Sequence, residues 1–154
     1  MNRLAVLLVV LLLATRLSAF SDASSQFIDY CTQVEAKKLG IPFGIAERLR
    51  YSESSNERYA RAYEPETHSW SLGWWGLNTR WEHDFSIRFN AGRPIDPYDP
   101  IVSTRVALRL LASLYWQTGD WQRAVYAYKG QSGELAWKVA GYVVTGIPWE
   151  GMAK

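Results

Sequence analysis

Past the first two dozen residues, apolar positions recur at intervals of three and four, the period of helices. Ser24 or Ser25 can cap a helix reaching about Leu39, with Phe27, Tyr30, Cys31 and Val34 on one stripe and Gly40 just beyond. Pro42 stands near the start of a second helix, Phe43 to about Ser52, carrying Ile45, Ala46 and Leu49. Asp99-Pro100 supplies an N-cap and a first-turn proline for a long helix to about Gln117. Its apolar face would hold Val102, Val106, Leu110 and Leu114, and Gly119 follows its end. Asp120 caps another helix over Trp121–Lys129, and Glu134–Val144 reads as the last. Between Ser54 and Pro97 neither period holds, and no strand pattern stands out. That stretch is rich in Gly, Asn, His, Trp and Arg and is expected to be irregular, with at most short helical turns. The fold class is mainly α, with a long irregular middle segment.

The N-terminus follows another pattern. Met1–Ala19 has a basic Arg3, an apolar run from Leu4 to Ala14, and small residues after it. That is the layout of a secretory signal, cut after Ala19 or after Ala23, although Arg16 behind the run leaves an uncleaved anchor open. The run is too short for a membrane-spanning helix. The expected division is a signal peptide over residues 1–19 and a single domain over residues 20–154, with no membrane span once the signal is removed. Cys31 is the one cysteine, so no internal disulfide can form, and a buried place on its helix is expected.

Charge follows from that division. The 154 residues carry 17 Lys+Arg and 15 Asp+Glu, a formal +2. Removing Arg3 and Arg16 leaves 15 against 15, so the exported domain is formally neutral. This balance, without a basic run, excludes a typical nucleic-acid binder. At 48% hydrophobic and 21% charged the chain is ordinary globular usage. The aromatics are not ordinary: eight Trp and nine Tyr, with every Trp between Trp70 and Trp149.

The middle segment concentrates the candidate chemistry. A long loop in a compact domain is commonly functional. This one holds Trp70, Trp74, Trp75 and Trp81; each can build a local core, and at least one ring is expected to line a groove and stack on sugar. Glu53, where the second helix gives way to Ser54-Ser55-Asn56, can be partly desolvated there, which raises a carboxyl pKa toward what a general acid needs. Arg48, Arg50, Arg58 and Arg61 surround it as either a solvated helix face or a surface for carboxylates. His68 and His83 have no partner at metal-ligand spacing, so no metal and no cofactor is expected. Glu82-His83-Asp84 reads as a solvated loop.

Four pieces of sequence then fall in order: Glu53-Ser54; Ser71-Leu72-Gly73-Trp74-Trp75-Gly76-Leu77; Tyr98-Asp99-Pro100 with its long helix; and Ala124-Val125-Tyr126-Ala127-Tyr128. Their order and spacing resemble the lytic transglycosylases of the soluble type in the lysozyme-like superfamily. In that family the pattern runs E-S, S-x-x-G-A-x-G-L-M-Q, D-P plus a helix, and A-Y-N-A-G. The resemblance covers about residues 26–146 and implies a lysozyme-like helical domain whose irregular segment forms part of a cleft. It assigns Glu53 as the catalytic glutamate. Substrate contacts fall to Ser54, Ser71, Gly73, Trp75, Gly76, Leu77, Asn78, Thr79 and Tyr128. Tyr128 taken without it is a helix-face aromatic packing with Tyr126 and Val125.

The implied reaction is cleavage of the N-acetylmuramic acid–β-1,4–N-acetylglucosamine bond of peptidoglycan, closing a 1,6-anhydro ring. The implied setting is the periplasm or cell envelope. The implied partners are glycan strands and, for a single-domain monomer, a secretion, conjugation or flagellar assembly. Two departures stand out: Asn78-Thr79 replaces M-Q, and Tyr128-Lys129-Gly130-Gln131 replaces Y-N-A-G. A lysine at 129 brought near Glu53 would favour the ionised carboxylate. Two other functions stay open: a weak or inactive peptidoglycan-binding relative that scaffolds an assembly, and a lysozyme-type hydrolase. The latter needs a second carboxylate, from among Glu64, Glu66, Asp84, Asp96 and Asp99, the last already committed to capping.

Overall fold

The computed structural model describes residues 24–150 and Met152. The expected signal and both of its cut sites lie outside the described residues. Helix α1 covers residues 24–39 and is already formed at Ser24 and Ser25, the expected caps. There follow α2 (Phe43–Ser54), strands β1 (Arg61–Glu64), β2 (Ser69–Leu72) and β3 (Leu77–Asn78), and a 3-10 turn (Thr79–Trp81). Helices α3 (Glu82–Phe89), α4 (Pro100–Thr118), α5 (Trp121–Lys129) and α6 (Glu134–Thr145) complete the order. The architecture is mainly helical with one small sheet.

The local signals at the starts of α4 and α5 act as expected. Asp99 Oδ1 accepts from the backbone N–H of Ile101 and of Val102, both at 2.8 Å, while Pro100 occupies the first turn. Asp120 Oδ1 accepts from Arg123 N at 2.8 Å. Each satisfies donors that a helix N-terminus leaves open.

The middle segment corrects the expectation of an irregular loop. It contains a three-stranded antiparallel sheet, β1-β2-β3, with Tyr63 opposite Trp70 and Leu72 opposite Leu77. The strands span four, four and two residues, and three of the four β1 residues are exposed, so no apolar alternation existed to read. Glu82-His83-Asp84 is also no loop: it opens α3, with Glu82 and Asp84 complementing the positive helix end.

Packing rotates two of the predicted faces. In α1 the buried side chains are Ile28, Cys31, Thr32, Glu35 and Ala36, whereas Phe27 and Tyr30 are exposed. Two polar residues on that inner face hid it from a hydrophobicity pattern. The Thr32 hydroxyl donates to Ile28 O at 2.7 Å, and Glu35 pairs with Lys38 at 3.2 Å and Arg109 at 3.6 Å. In α4 the buried face is Ser103, Thr104, Val106, Ala107, Leu108, Leu111 and Ala112; Leu110 and Leu114 are only partly covered.

One core joins Ile45, Ala46 and Leu49 of α2 to Val106, Leu108 and Leu111 of α4, Val125 of α5 and Val143 of α6. Helix α5 packs against both α4 and α6, and α2 lies on α6. Three of the four arginines around Glu53, Arg48, Arg50 and Arg58, serve this frame, whereas Arg61 is exposed on β1. Arg48 donates to the last carbonyls of α6, Val143 O at 2.8 Å and Val144 O at 2.9 Å. Arg50 is buried and bonds Asp29 and Thr32, and Arg58 donates to Tyr98 O at 3.0 Å. Together these three fix where α2 ends, and hence where Glu53 stands.

Asp99 gives the fold its simplest test. Asp99→Ala is expected to cost about 1 kcal/mol, and up to ~2, in urea unfolding. An unchanged midpoint would show that α4 does not depend on its cap.

Candidate active site

Glu53 occupies the last turn of α2, followed by Ser55 in the left-handed region at φ 52°. Its carboxyl meets three elements. Gly76, in the turn between β2 and β3, is so close that a Cβ built there would lie 2.7 Å from Glu53 Oε2. Lys129, the last residue of α5, donates from Nζ to Glu53 Oε1 at 2.5 Å and to Ser52 Oγ at 3.4 Å. Glu64, at the end of β1, adds a negative charge within electrostatic reach and accepts from Ser71 Oγ at 3.4 Å.

The Gly73–Gly76 turn is tight at both ends. Both glycines have positive φ, +72° and +58°, where an L side chain is strained. A Cβ at Gly73 would lie 2.1 Å from the Pro97 carbonyl oxygen, well inside contact distance. Between them Trp74 and Trp75 point inward, and Trp75 is fully buried. Its indole donates to Thr104 Oγ1 of α4 at 3.1 Å, and its carbonyl accepts from Tyr128 Oη of α5 at 2.9 Å. The turn is therefore bolted to two helices, one bond from each, and Gly76 is held against Glu53.

Three sequence-predicted contact residues do not present side chains to a ligand. The Ser54 hydroxyl is buried and donates to Arg50 O at 3.2 Å. The Trp75 ring is core, and Trp74 beside it is also buried, so neither offers a stacking face. The Tyr128 hydroxyl is spent on the Trp75 carbonyl, which makes Tyr128 a brace of the turn rather than a free donor. Trp70 and Trp81 do remain available, at 46% and 47% exposure, with Trp70 packed against Tyr63.

Leu77, Asn78 and Thr79 line a largely apolar cavity of about 360 Å³, with Leu72, Phe85, Ile95, Pro97 and Tyr98 as walls and Glu82 and Asp96 also on its lining. The cavity starts one residue beyond Gly76, and Glu53 is not part of its lining. Asn78 Oδ1 accepts from Arg80 N and Thr79 Oγ1 from Trp70 N, so a ligand would meet the Asn78 amide N–H and the Thr79 O–H. Ser71 sits with Glu64 on the sheet.

Charge in this site is decided by burial. Glu53 is 14% exposed and Lys129 8%. Desolvation pushes the Glu53 carboxyl above its ordinary value, and the Glu64 charge adds to that. The Lys129 ammonium and its hydrogen bond pull the other way and recover only part. The depressed value that a nearby lysine implies from sequence is thus overturned, because removing the carboxylate from water outweighs the ion pair. Tyr128, buried beside the Glu53 charge, is pushed well above the ordinary phenol value.

Thr104, Ser52 and Glu64 are the partners that sequence reasoning missed or failed to single out. Thr104 reaches its partner from 29 positions away, which no local pattern signals. Among the described residues no group of three or more His, Cys, Asp or Glu stands together to hold a metal, and no helix is long and apolar enough to cross a membrane.

Residues 30–141 match the model of the transglycosylase SLT domain, more than half of the chain. The chain belongs to that family. No curated protein and no solved structure matches it significantly. Membership brings the lysozyme-like helical fold and peptidoglycan as the substrate class, with transglycosylase- or lysozyme-like activity in general. The matched span runs from α1 to α6 and includes Glu53, the glycine turn and Tyr128.

Two predictions separate the roles within this SLT domain. Gly73→Ala and Gly76→Ala each meet a left-handed penalty of roughly 1–2 kcal/mol. Gly73→Ala should unfold at the lower denaturant concentration, because it strikes backbone, whereas Gly76→Ala strikes a side chain that can move. Equal midpoints would contradict that geometry. The second concerns pH. A carboxyl whose folded pKa is raised holds its proton more tightly when folded, so its contribution falls as pH rises from the ordinary glutamate range through the folded value. The stability of Glu53→Gln relative to the native chain should therefore increase over that interval, read by urea titrations at several pH values. A constant or falling difference would show that burial does not raise Glu53.

Proposed function

We propose that the chain is an exported peptidoglycan lytic transglycosylase in which Glu53 is the sole acid/base group. The observation that carries this reading is the setting of Glu53: a mostly buried carboxyl, raised by desolvation, seated on a glycine turn that leaves no room for a side chain. A carboxyl raised above its ordinary value holds its proton more readily and can give it to a glycosidic oxygen.

In the first step protonated Glu53 donates to the oxygen linking muramic acid C1 to the next sugar, and that bond breaks as an oxocarbenium-like centre forms. In the second the Glu53 carboxylate accepts the proton of the muramic acid C6 hydroxyl, whose oxygen bonds C1 and closes the 1,6-anhydro ring. The proton lost in the first step is regained in the second, so Glu53 is restored and water is not consumed. The substrate supplies the nucleophile, and one carboxyl suffices. The Asn78 amide and Thr79 hydroxyl, on the cavity next to the turn, are among the polar groups offered to sugar substituents, with Glu82 and Asp96 on the same lining. Export through Met1–Ala19 and service to a secretion, conjugation or flagellar assembly in the envelope belong to the same proposal.

One observation favours a second reading. Of the five carboxylates open from sequence, Glu64 is the one whose charge acts on Glu53. A retaining hydrolase uses such a pair at about 5–5.5 Å and an inverting one at about 6.5–9.5 Å, and releases reducing ends.

Digestion of purified sacculi with mass spectrometry of the released muropeptides tests both. Anhydro-muropeptides are expected, lost by roughly 10²–10⁴-fold in Glu53→Gln and retained in Glu64→Gln. Reducing-end products lost in both variants would select the hydrolase. Neither product, with sacculus binding retained, would leave a non-catalytic binding protein.

A further inference from the structure

The lysine that replaces the asparagine of Y-N-A-G is built into the site rather than directed to solvent. Lys129 Nζ lies 2.5 Å from Glu53 Oε1 and 3.4 Å from Ser52 Oγ, and its side chain is more buried than the glutamate it meets. The two carboxyl oxygens of Glu53 therefore have different surroundings. Oε1 is occupied by the ammonium, whereas Oε2 faces the Gly76 backbone, one residue before the cavity begins.

We propose that Lys129 is a positioning residue of the acid: it takes Oε1 of Glu53 and reserves Oε2 as the oxygen that carries and returns the reacting proton. This rests on the reading of Glu53 as the acid/base group. An ammonium has donors only, so it bonds the unprotonated oxygen of a carboxylic acid and leaves the hydroxyl on the other. When Oε2 gives up its proton, the new carboxylate already holds a charge-assisted hydrogen bond and needs no reorganisation to form. Burial and Glu64 alone would make Glu53 reluctant to release its proton, and Lys129 opposes both. The charged or titratable groups that act on Glu53 among the described residues are Lys129 and Tyr128 from α5 and Glu64 from β1. Of these Lys129 is the cation. Gly76 completes the arrangement, since any side chain there would displace Oε2.

The test follows Glu53 itself by carbon NMR of protein labelled at glutamate carboxyls, with the resonance assigned by its loss in Glu53→Gln. Lys129→Gln keeps a hydrogen-bond donor and removes the charge. Its Glu53 midpoint should move to higher pH, while Lys129→Arg keeps the native midpoint. On sacculi, Lys129→Gln should lose roughly 10²-fold in kcat/KM through misplacement of the acid. The pH at which its activity falls should rise in step with the midpoint, a shift that a purely structural role would not produce. An unchanged or lowered midpoint in Lys129→Gln overturns the inference. Should that variant fail to fold, the native chain decides: the nitrogen shift of Lys129 Nζ must follow the Glu53 titration, and a flat shift overturns it. A native enzyme that releases reducing ends while Glu53 remains coupled to Lys129 would instead defeat the transglycosylase reading and leave the coupling standing.

Discussion

The site depends on one piece of packing, the burial of Trp75 between α4 and α5. Its indole N–H is satisfied by Thr104 and its carbonyl by Tyr128, so the ring enters the core without a stranded donor. That fixes the turn from Gly73 to Gly76 and leaves Gly76 on the carboxyl of Glu53. The other requirements follow from this closeness. Gly73 must clear the Pro97 carbonyl, Gly76 must clear Oε2, and α2 must end where Arg48, Arg50 and the following Arg58 pin it. A geometry held by core packing is one that a ligand need not assemble.

The same burial sets the electrostatics. A glutamate beside a lysine at hydrogen-bond distance would sit low in water. Here desolvation outweighs the pair, and the carboxyl is raised while still bonded to a cation. The combination is chemically useful: a group reluctant to ionise in the resting site, yet furnished with a donor for the charge it acquires when it does. Glu64 adds to the first tendency and Lys129 to the second. The balance is local, set by groups that stand at or near the Glu53 carboxyl.

What could be read from the sequence depended on how far each signal reaches. Helix caps act across three or four residues, and Asp99, Pro100 and Asp120 placed their helices correctly. The sheet did not announce itself, because its strands are short and β1 is exposed on most positions. The buried face of α1 was misread because Thr32 and Glu35 occupy it with partners from α2 and α4. A buried polar residue looks like a surface residue until its partner is known. Trp74 and Trp75 were ambiguous for the same reason: an aromatic ring serves a core or a sugar equally well.

By itself the sequence determined the helical class, the approximate bounds of α1, α2, α4, α5 and α6 but not of α3, the acid candidate Glu53, and the glycine spacing that points to the SLT family. These rest on local periodicity, caps and motif order. Tertiary structure alone decided that Tyr128 braces a turn, that Trp75 is core, that Arg48, Arg50 and Arg58 pin helices, and that Lys129 meets Glu53. The last contact spans 76 positions, and its outcome is a contest between desolvation and Coulomb attraction. Sequence can name both residues, but burial exists only once the chain has closed around them.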